Sequence, residues 1–195
     1  SNVLFNGLKP LLLVESQLEK LDNYNLLIIP ECTNVTDETF SAIEKFVNRG
    51  GKLVIIGEDS LYKDEFNAER DKDAVLNIYK NAVIIKTDVN SKKDITTAVN
   101  LPETISEVIG SMNLTNVKIT DKATGENIDR TEWICVPYDG GYLLNMCRYV
   151  WGDAKDVEIT VDGKKIEKFY DLRENEYLDG ITLEEYTPLF VKIEG

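Results

Sequence analysis

Histidine is absent from this sequence of 195 residues. Its absence removes the most frequent general base of enzymes and the most frequent side-chain ligand of metal ions. A Ser-His-Asp or Cys-His catalytic arrangement therefore cannot form within this chain.

Cysteine is scarce, and its spacing does not suit metal binding. The three cysteines, Cys32, Cys135 and Cys147, form no Cys-x-x-Cys pair. A small odd number is unlike a disulfide-stabilised secreted domain and predicts a reducing compartment, which we take to be the cytoplasm. We predict that the chain holds neither a metal ion nor another cofactor.

Positive charge and long apolar runs are also lacking. The 22 Lys and Arg residues are outnumbered by 35 Asp and Glu residues, which gives a net charge of −13. That charge argues against a nucleic-acid partner and against binding to an anionic membrane surface. No apolar run reaches the length of a membrane span, and we identify no signal peptide. With 43% hydrophobic and 29% charged residues, the composition is that of a globular protein with a buried core.

Residues 24–57 form one strand–helix–strand pattern. Leu26–Ile29 and Leu53–Ile56 are short continuous apolar runs, typical of parallel strands covered on both faces. Between them, Thr36 can cap a helix, and Gly50 suits the left-handed position after its last turn. The apolar residues of that helix fall on one face: Phe40, Ile43, Phe46 and Val47. The pattern predicts a right-handed βαβ crossover in an α/β fold, with any site at the carboxyl ends of the strands.

The same alternation extends through residues 1–112. Strands are predicted at Leu11–Val14 and Ala82–Ile85, and helices at Ser16–Leu21, Ala74–Tyr79 and Leu101–Gly110. We predict an α/β domain with a flavodoxin-like open parallel sheet. The first element, Val3–Phe5 with Gly7 as its cap, indicates a helix with no strand before it. We therefore expect the sequence to start partway through the domain, or a neighbouring chain to complete the sheet.

Residues 113–195 change to the period of an antiparallel sheet. Short β-rich runs separated by glycine-containing turns fall at Val117–Thr120, Trp133–Val136, Tyr142–Met146, Val157–Val161, Ile166–Tyr170 and Leu189–Ile193. Asp162-Gly163 predicts a hairpin that joins Val157–Val161 to Lys165–Phe169. We predict a small antiparallel β-sandwich as the second domain.

Two strand ends of the first domain, Pro30–Cys32 and Gly57–Ser60, suggest a small-molecule site as one hypothesis. A nucleophilic role for Cys32 is disfavoured, because no histidine can act as its base and nearby carboxylates would raise the pKa of its thiol. We predict a packed or loop thiol instead. A Mg²⁺ or Ca²⁺ site could be built from Glu58, Asp59 and Asp64, but a solvated acidic loop is the favoured interpretation.

Aromatic residues of the second domain suggest another hypothesis, a sugar-stacking surface. Trp133 and Phe169 lie within predicted strands and are expected in the core. Tyr138 and Trp151 flank turns, so we predict that they are exposed and propose them as candidate carbohydrate-binding residues. Packing at the rim of the core is the competing explanation, since isolated aromatic side chains are common on protein surfaces.

Several stretches resemble a known family. In the first domain they are Tyr24-Asn-Leu-Leu-Ile-Ile-Pro30, Thr36-Asp-Glu-Thr39 and Phe46-Val-Asn-Arg-Gly-Gly-Lys-Leu-Val54. Together they resemble the trimerisation domain of bacterial β-galactosidases, whose fold is similar to that of class I glutamine amidotransferases. In the second domain, the Asp162-Gly-Lys-Lys165 hairpin, Asp171-Leu-Arg173 and the segment from Gly180 to Val191 resemble the small β-sandwich that closes many glycosidases.

The resemblance implies a non-catalytic C-terminal region of a β-galactosidase-like glycoside hydrolase. The catalytic acids of that family lie in an N-terminal (β/α)₈ barrel that nothing here resembles, so no catalytic residue is assigned to this chain. The amidotransferase nucleophile is missing too, because Gly57-Glu58-Asp59 stands at its turn. The implied partners are an upstream catalytic barrel on the same polypeptide, further copies in a dimer or trimer, and carbohydrate.

Overall fold

The computed structural model describes residues 6–86 and 101–194, without the side chains of residues 101–103. The chain forms two compact units, one of Leu11–Thr104 and the other of Ser1–Pro10 together with Ile105–Gly195. The predicted domain boundary between residues 112 and 113 stays a prediction, because a compact unit need not be a segment that folds alone. The predicted helix at Val3–Phe5 lies outside the described residues.

The first unit alternates helices and strands. Its elements are a 3₁₀ helix at Glu15–Asn23, β1 at Leu26–Pro30, α1 at Asp37–Asn48, β2 at Lys52–Ile56, α2 at Lys72–Tyr79 and β3 at Ala82–Ile85, and α3 follows at Leu101–Ser111. The strands form a parallel sheet in the order β1-β2-β3, which confirms the predicted α/β architecture. No helix in the described ranges is both long and apolar enough to span a membrane.

Helix α1 has the ends that the sequence predicts. The Thr36 Oγ1 atom accepts a hydrogen bond from the Thr39 backbone N–H at 3.2 Å and so caps the first turn. At the other end, Gly50 has a φ of +92°, and the N–H groups of Gly50 and Gly51 donate to the carbonyls of Val47 and Phe46. The predicted apolar face is buried: Phe40, Ile43, Phe46 and Val47.

The predicted strand at Leu11–Val14 is wrong. Among the described residues, none pairs with this segment, and Leu11, Leu12 and Val14 are exposed. Only Leu13 packs against the core of the first unit. An apolar run becomes a strand only where a neighbouring strand pairs with its backbone N–H and C=O groups. Here the segment packs against the core of the unit through the Leu13 side chain instead.

The second unit contains the remaining strands. They are β4 at Val117–Asp121, β5 at Thr131–Tyr138, β6 at Gly141–Arg148, β7 at Lys155–Val161, β8 at Lys164–Lys165, β9 at Phe169–Asp171, β10 at Glu176–Leu178, β11 at Ile181–Leu183 and β12 at Leu189–Ile193. A five-stranded sheet has the order β10-β9-β12-β6-β5, and a four-stranded sheet has the order β11-β7-β4 with β8 beside β7. All pairings between these strands are antiparallel, and the two sheets form the predicted small β-sandwich.

Side chains that alternate along these strands fill the core of the sandwich. Trp133 and Phe169 are buried there, as predicted, beside Leu144, Ile159 and Val191. Each of these residues is followed by one that points away from the core, which is the pattern of an antiparallel sheet with one buried face. The sandwich is therefore held together by apolar contacts between its two inner faces.

The predicted hairpin at Asp162-Gly163 is present, but the strand predicted at Ile166–Tyr170 is not continuous. Both turn residues have positive φ, at 51° and 74°, and Val161 pairs with Lys164 across a two-residue loop. Strand β8 then ends after Lys165, and β9 begins at Phe169 in the other sheet. The segment crosses between sheets, so the predicted strand is replaced by two short strands on either side of the crossing.

Residues 6–10 belong to the same unit as the sandwich. The Asn6 Nδ2 atom donates to the Ser106 Oγ atom at 3.0 Å. Gly7 has a φ of +68°, and a Cβ atom at this position would lie 2.1 Å from the Trp133 ring. Only glycine allows this backbone to lie against the indole, for both conformational and steric reasons.

Candidate functional site

The two strand ends proposed as a small-molecule site are bonded to each other. The Glu31 N–H donates to the Ile56 carbonyl at 2.8 Å, and the Cys32 N–H donates to Ser60 Oγ at 3.2 Å. The Leu61 N–H in turn donates to the Cys32 carbonyl at 2.8 Å, and the Leu61 side chain is fully buried. The loop after β2 thus uses the backbone groups that a ligand at this sheet edge would need.

Cys32 has the environment of a packed thiol. It is partly buried against the core of the first unit, and its Sγ atom lies 3.5 Å from the Asn34 carbonyl. Burial, with a smaller contribution from the Glu15 carboxylate, raises the pKa of Cys32 above its usual value. Burial also raises the pKa of Cys135. Raised pKa values keep both thiols protonated at neutral pH, and a protonated thiol is a poor nucleophile.

The acidic loop after β2 shows no metal geometry. Asp64 uses its Oδ1 atom to accept hydrogen bonds from the N–H groups of Phe66 and Ala68, at 3.0 and 2.8 Å. Glu58 forms an ion pair with Lys86 at 2.9 Å. Within residues 6–86 and 101–194, no three Cys, Asp or Glu side chains come together as metal ligands would. Asp64 therefore stabilises its own loop, and Glu58 ties that loop to the residue that follows β3.

Tyr138 and Trp151 are both exposed, as predicted, but they lie far apart. Tyr138 ends β5 and pairs with Gly141, at the start of β6. Trp151 follows Arg148, at the other end of β6. Eight strand residues separate the two ends by about 23 Å at the usual rise of about 3.3 Å per residue. One small sugar therefore cannot contact both side chains.

Trp151 belongs to a cluster of three aromatic rings, which we call the aromatic platform: Tyr149, Trp151 and Tyr186. The Trp151 and Tyr186 ring centroids are 4.9 Å apart, and those of Tyr149 and Tyr186 are 6.1 Å apart in an edge-to-face arrangement. The exposed fractions of the three residues are 41%, 76% and 46%, in chain order. Sequence reasoning counted Tyr149 among the aromatic residues that could form a sugar-stacking surface but selected only Trp151 of this cluster. It missed Tyr186, which reaches the cluster through tertiary pairing.

A buried arginine fixes the segments that carry the platform. Arg148 pairs with Asp129 at 3.4 Å and donates from Nη1 to the Asp153 carbonyl at 3.0 Å. The Arg148 carbonyl accepts the Tyr186 N–H at 2.8 Å, and Arg148 forms a parallel β-bridge with Glu185. The chain on both sides of Trp151 is therefore tied to the segment that carries Tyr186.

The outer face of the five-stranded sheet is a second unusual surface, which we call the apolar face. One row of paired residues crosses all five strands: Val136, Leu143, Lys192, Tyr170 and Tyr177. The next row pairs Ile134, Asn145 and Phe190. Ile134, Val136 and Tyr177 are exposed. An outer face that met only water would be polar, so this composition suits contact with another surface.

Comparison with known proteins finds similarity in structure alone. The sequence matches no protein-family model, and no curated protein matches it. An apo exo-carrageenase of family GH42 from Bacteroides ovatus matches 99% of this chain and 25% of its own, with 14% identity and a TM-score of 0.66. Gan42B, a GH42 β-galactosidase from G. stearothermophilus, matches 90% of this chain and 33% of its own, with 14% identity and a TM-score of 0.58. A β-galactosidase from Bacillus circulans sp. alkalophilus matches 89% of this chain and 34% of its own, with 10% identity and a TM-score of 0.56.

These matches establish a shared fold. Each of the three covers both units of this chain, the parallel sheet and the β-sandwich, in one alignment. The chain spans between 25% and 34% of the length of these solved structures. The resemblance predicted from sequence patterns, to part of a β-galactosidase-like glycoside hydrolase, is confirmed at the level of the fold.

Proposed function

We propose that this chain is a non-catalytic structural region of a larger glycoside hydrolase that acts on galactose-containing carbohydrate. The observation that carries the proposal is the joint match of both units to one part of GH42 enzymes, over 89–99% of this chain in the three structures described. Single small folds recur with many functions, but a pair of unlike folds in a fixed order is a more specific signature.

The chemistry of the chain supports a structural role. The sequence has no histidine, and the pKa values of Cys32 and Cys135 are raised, so two kinds of nucleophile activation are excluded. The strand ends of the parallel sheet are bonded to their own loop. Catalysis in this proposal belongs to a barrel elsewhere on the same polypeptide.

Two sets of exposed apolar side chains favour contact with other parts of an assembly. The apolar face of the sandwich is one. The other lies on the first unit, where Leu12, Phe66, Leu76 and Val83 are exposed. Exposed apolar surface of this kind marks protein contacts. We propose that these surfaces meet the catalytic region and further copies of the chain, in a dimer or trimer.

Hydrolysis of chromogenic galactosides tests the catalytic part of the proposal. The assay compares this chain with the same chain covalently continuous with the polypeptide encoded upstream of it. We expect turnover only from the longer protein, since the proposed catalytic acids lie outside this chain. Turnover by this chain alone, or none by either protein, would contradict the proposal.

Light scattering across a concentration series tests self-association. We expect the average mass to rise above 22.1 kDa as concentration increases. A salt titration separates apolar from charge-driven contact, because the net charge of −13 opposes association most strongly at low salt. A constant monomer mass at every concentration and salt level would contradict self-association through these surfaces.

A further inference from the structure

We propose that the aromatic platform of Tyr149, Trp151 and Tyr186 binds the apolar face of a neutral galactose-type sugar. This inference rests on the proposed function, because it takes the substrate class from there. It changes the sequence-based hypothesis, since the structure removes Tyr138 from the site and adds two tyrosines.

The ring geometry leaves stacking surface free. Tyr186 packs against Trp151 at 4.9 Å with an interplanar angle of 53°, so one side of the indole is covered and 76% of Trp151 stays exposed. A pyranose ring offers a patch of C–H groups, and their slightly positive hydrogens are attracted to the negative face of an indole. The axial hydroxyl of galactose gathers such C–H groups on one face of the sugar.

Several backbone restraints hold the residues of the platform. Tyr186 has a φ of 51°, which costs energy for a residue other than glycine and persists only when the surroundings enforce it. The Tyr149 N–H donates to the Arg130 carbonyl at 2.9 Å. Interaction with the neighbouring Cys147 side chain raises the pKa of Tyr149, so its hydroxyl stays protonated at neutral pH. A surface that is already ordered loses little entropy when it binds.

Polar atoms at the rim can satisfy sugar hydroxyls. The Gly152 N–H donates to the Glu185 Oε2 atom at 3.0 Å, which places this carboxylate one residue from Trp151. The other carboxylate oxygen of Glu185 has no partner within the part of the chain that the structure describes, so it can accept a hydrogen bond from a sugar hydroxyl. The indole Nε1–H is a donor. Aromatic rings with a few placed polar groups are the usual composition of a small-molecule site.

Other exposed aromatic residues are already engaged. The Lys192 ammonium lies 5.9 Å from the centre of the Tyr138 ring and also pairs with Asp139 at 3.2 Å. The Tyr177 hydroxyl donates to Glu194 at 3.0 Å, and its ring packs edge-to-face on Tyr170. Neither residue has an exposed aromatic neighbour arranged like the platform. This difference selects Trp151 as the centre of the site.

The charge of the molecule selects among carbohydrates. Glu185 lies at the rim, and the whole chain carries a net charge of −13. A sulfated or carboxylated sugar would be repelled, whereas a neutral one would not. The ligand class is therefore a neutral galactoside.

Calorimetric titration with β-1,4-linked galactotetraose tests the platform on the complete chain. We expect measurable binding by the unchanged protein. The affinity of Trp151→Ala should be lower by about tenfold or more, because one aromatic anchor that the ligand covers carries much of the binding energy of such contacts. Tyr138→Ala is the matched control, an exposed aromatic residue at the other end of β6, and its affinity should stay within about twofold. Circular dichroism confirms that each variant is folded.

Tryptophan fluorescence gives an independent readout. Trp133 is buried and Trp151 is exposed, so a sugar on the platform should shift the emission of the unchanged protein and leave that of Trp151→Ala unchanged. Absence of binding to galactotetraose would overturn the proposal. So would equal affinities of the unchanged protein and Trp151→Ala, or an equal loss of affinity in Trp151→Ala and Tyr138→Ala. If the longer polypeptide still hydrolyses galactosides in that case, the platform alone is refuted and the proposed function stands.

Discussion

The two sheets of the sandwich differ in the faces that point away from their shared core. The four-stranded sheet carries a polar outer face, made of Lys118, Thr120, Asp156, Glu158, Thr160, Lys165 and Thr182. Cross-strand contacts there are polar as well, such as the Thr182 hydroxyl donating to Asp156 at 2.6 Å. The equivalent rows of the five-stranded sheet carry mostly isoleucine, valine, leucine and aromatic residues, with Asn145 and Lys192 as polar exceptions.

The difference between the two outer faces bears on which surroundings each sheet contacts. The same alternation builds both sheets, so the strand period does not explain why only one has an apolar exterior. Water favours the first composition, and a protein or carbohydrate surface favours the second. The polar composition of the one face suits solvent, and we propose that the apolar face contacts another surface.

The largest expected effect separates the inner and outer faces of the five-stranded sheet at two neighbouring leucines. Leu144 is fully buried between the sheets, and Leu143 lies on the apolar face. We expect Leu144→Ala to lower the free energy of unfolding by about 3 kcal/mol, through lost burial and a cavity. Leu143→Ala should cost less than about 1 kcal/mol. Urea denaturation of both variants measures this.

A large loss of unfolding free energy from Leu143→Ala in the isolated chain would contradict this difference between the inner and outer faces. It would mean that the apolar face is already covered in solution. A small loss from Leu144→Ala would mean that the inner face is loosely packed.

A smaller effect concerns Asp121, at the end of β4 in the polar-faced sheet. Hydrogen bonds from the Lys155 ammonium, at 2.9 Å, and from the Ala123 N–H, at 2.8 Å, lower the pKa of Asp121. A lowered folded pKa gives stability that is fully present above the unfolded pKa and is lost as pH falls through the folded pKa. We expect Asp121→Asn to be less stable than the unchanged protein at neutral pH, with the difference shrinking below about pH 3.9.

The measurement is urea unfolding of both proteins from pH 7 to pH 2. Lys155→Met serves as the control, because it removes the main cause of the lowered pKa and should flatten the same pH dependence. A difference that stays constant down to pH 2 would show that Asp121 acts through packing and not through its charge.

The smallest expected change in stability comes from adding one lysine to each outer face. Val136→Lys and Thr160→Lys occupy exposed or half-exposed strand positions, so each should change the free energy of unfolding by less than about 0.5 kcal/mol. Their effects on association should differ. Val136→Lys should lower the average mass seen by light scattering, and Thr160→Lys should not. Equal effects of the two variants would remove the distinction between the faces.

Local sequence patterns predicted most of the fold because the residues that define each element and its ends are close together in the sequence. The cap at Thr36, the glycine at Gly50 and the apolar face between them all lie within α1 and its ends. The predictions failed at Leu11–Val14 and Ile166–Tyr170, two segments whose state depends on where a partner strand lies. Strands of three residues, such as β10 and β11, were not predicted, since three positions are too few to show a period.

The candidate site was predictable only in its most exposed member. Turn residues on both sides of Trp151 indicated its exposure, and the structure agrees. The position of Tyr186 was not predictable, because Tyr186 approaches through the bridge between Arg148 and Glu185, which no local pattern reveals. The apolar face was missed for the same reason, since alternate positions gain meaning only when the strand order is known.

The contact of Gly7 with Trp133 has a consequence for the order of folding. Asn6 and Ser106 are 100 positions apart in the sequence, whereas the parallel sheet is contained within Leu11–Thr104. Contacts between distant positions form late, because closing a long loop costs entropy before it gains any interaction. During synthesis the parallel sheet can therefore form first, and residues 6–10 can pack only after the sandwich strands have been synthesised and have formed. We therefore expect the arrival of Gly7 at the indole to be the last step of folding, and quenching or a shift of Trp133 fluorescence in stopped-flow refolding should report it.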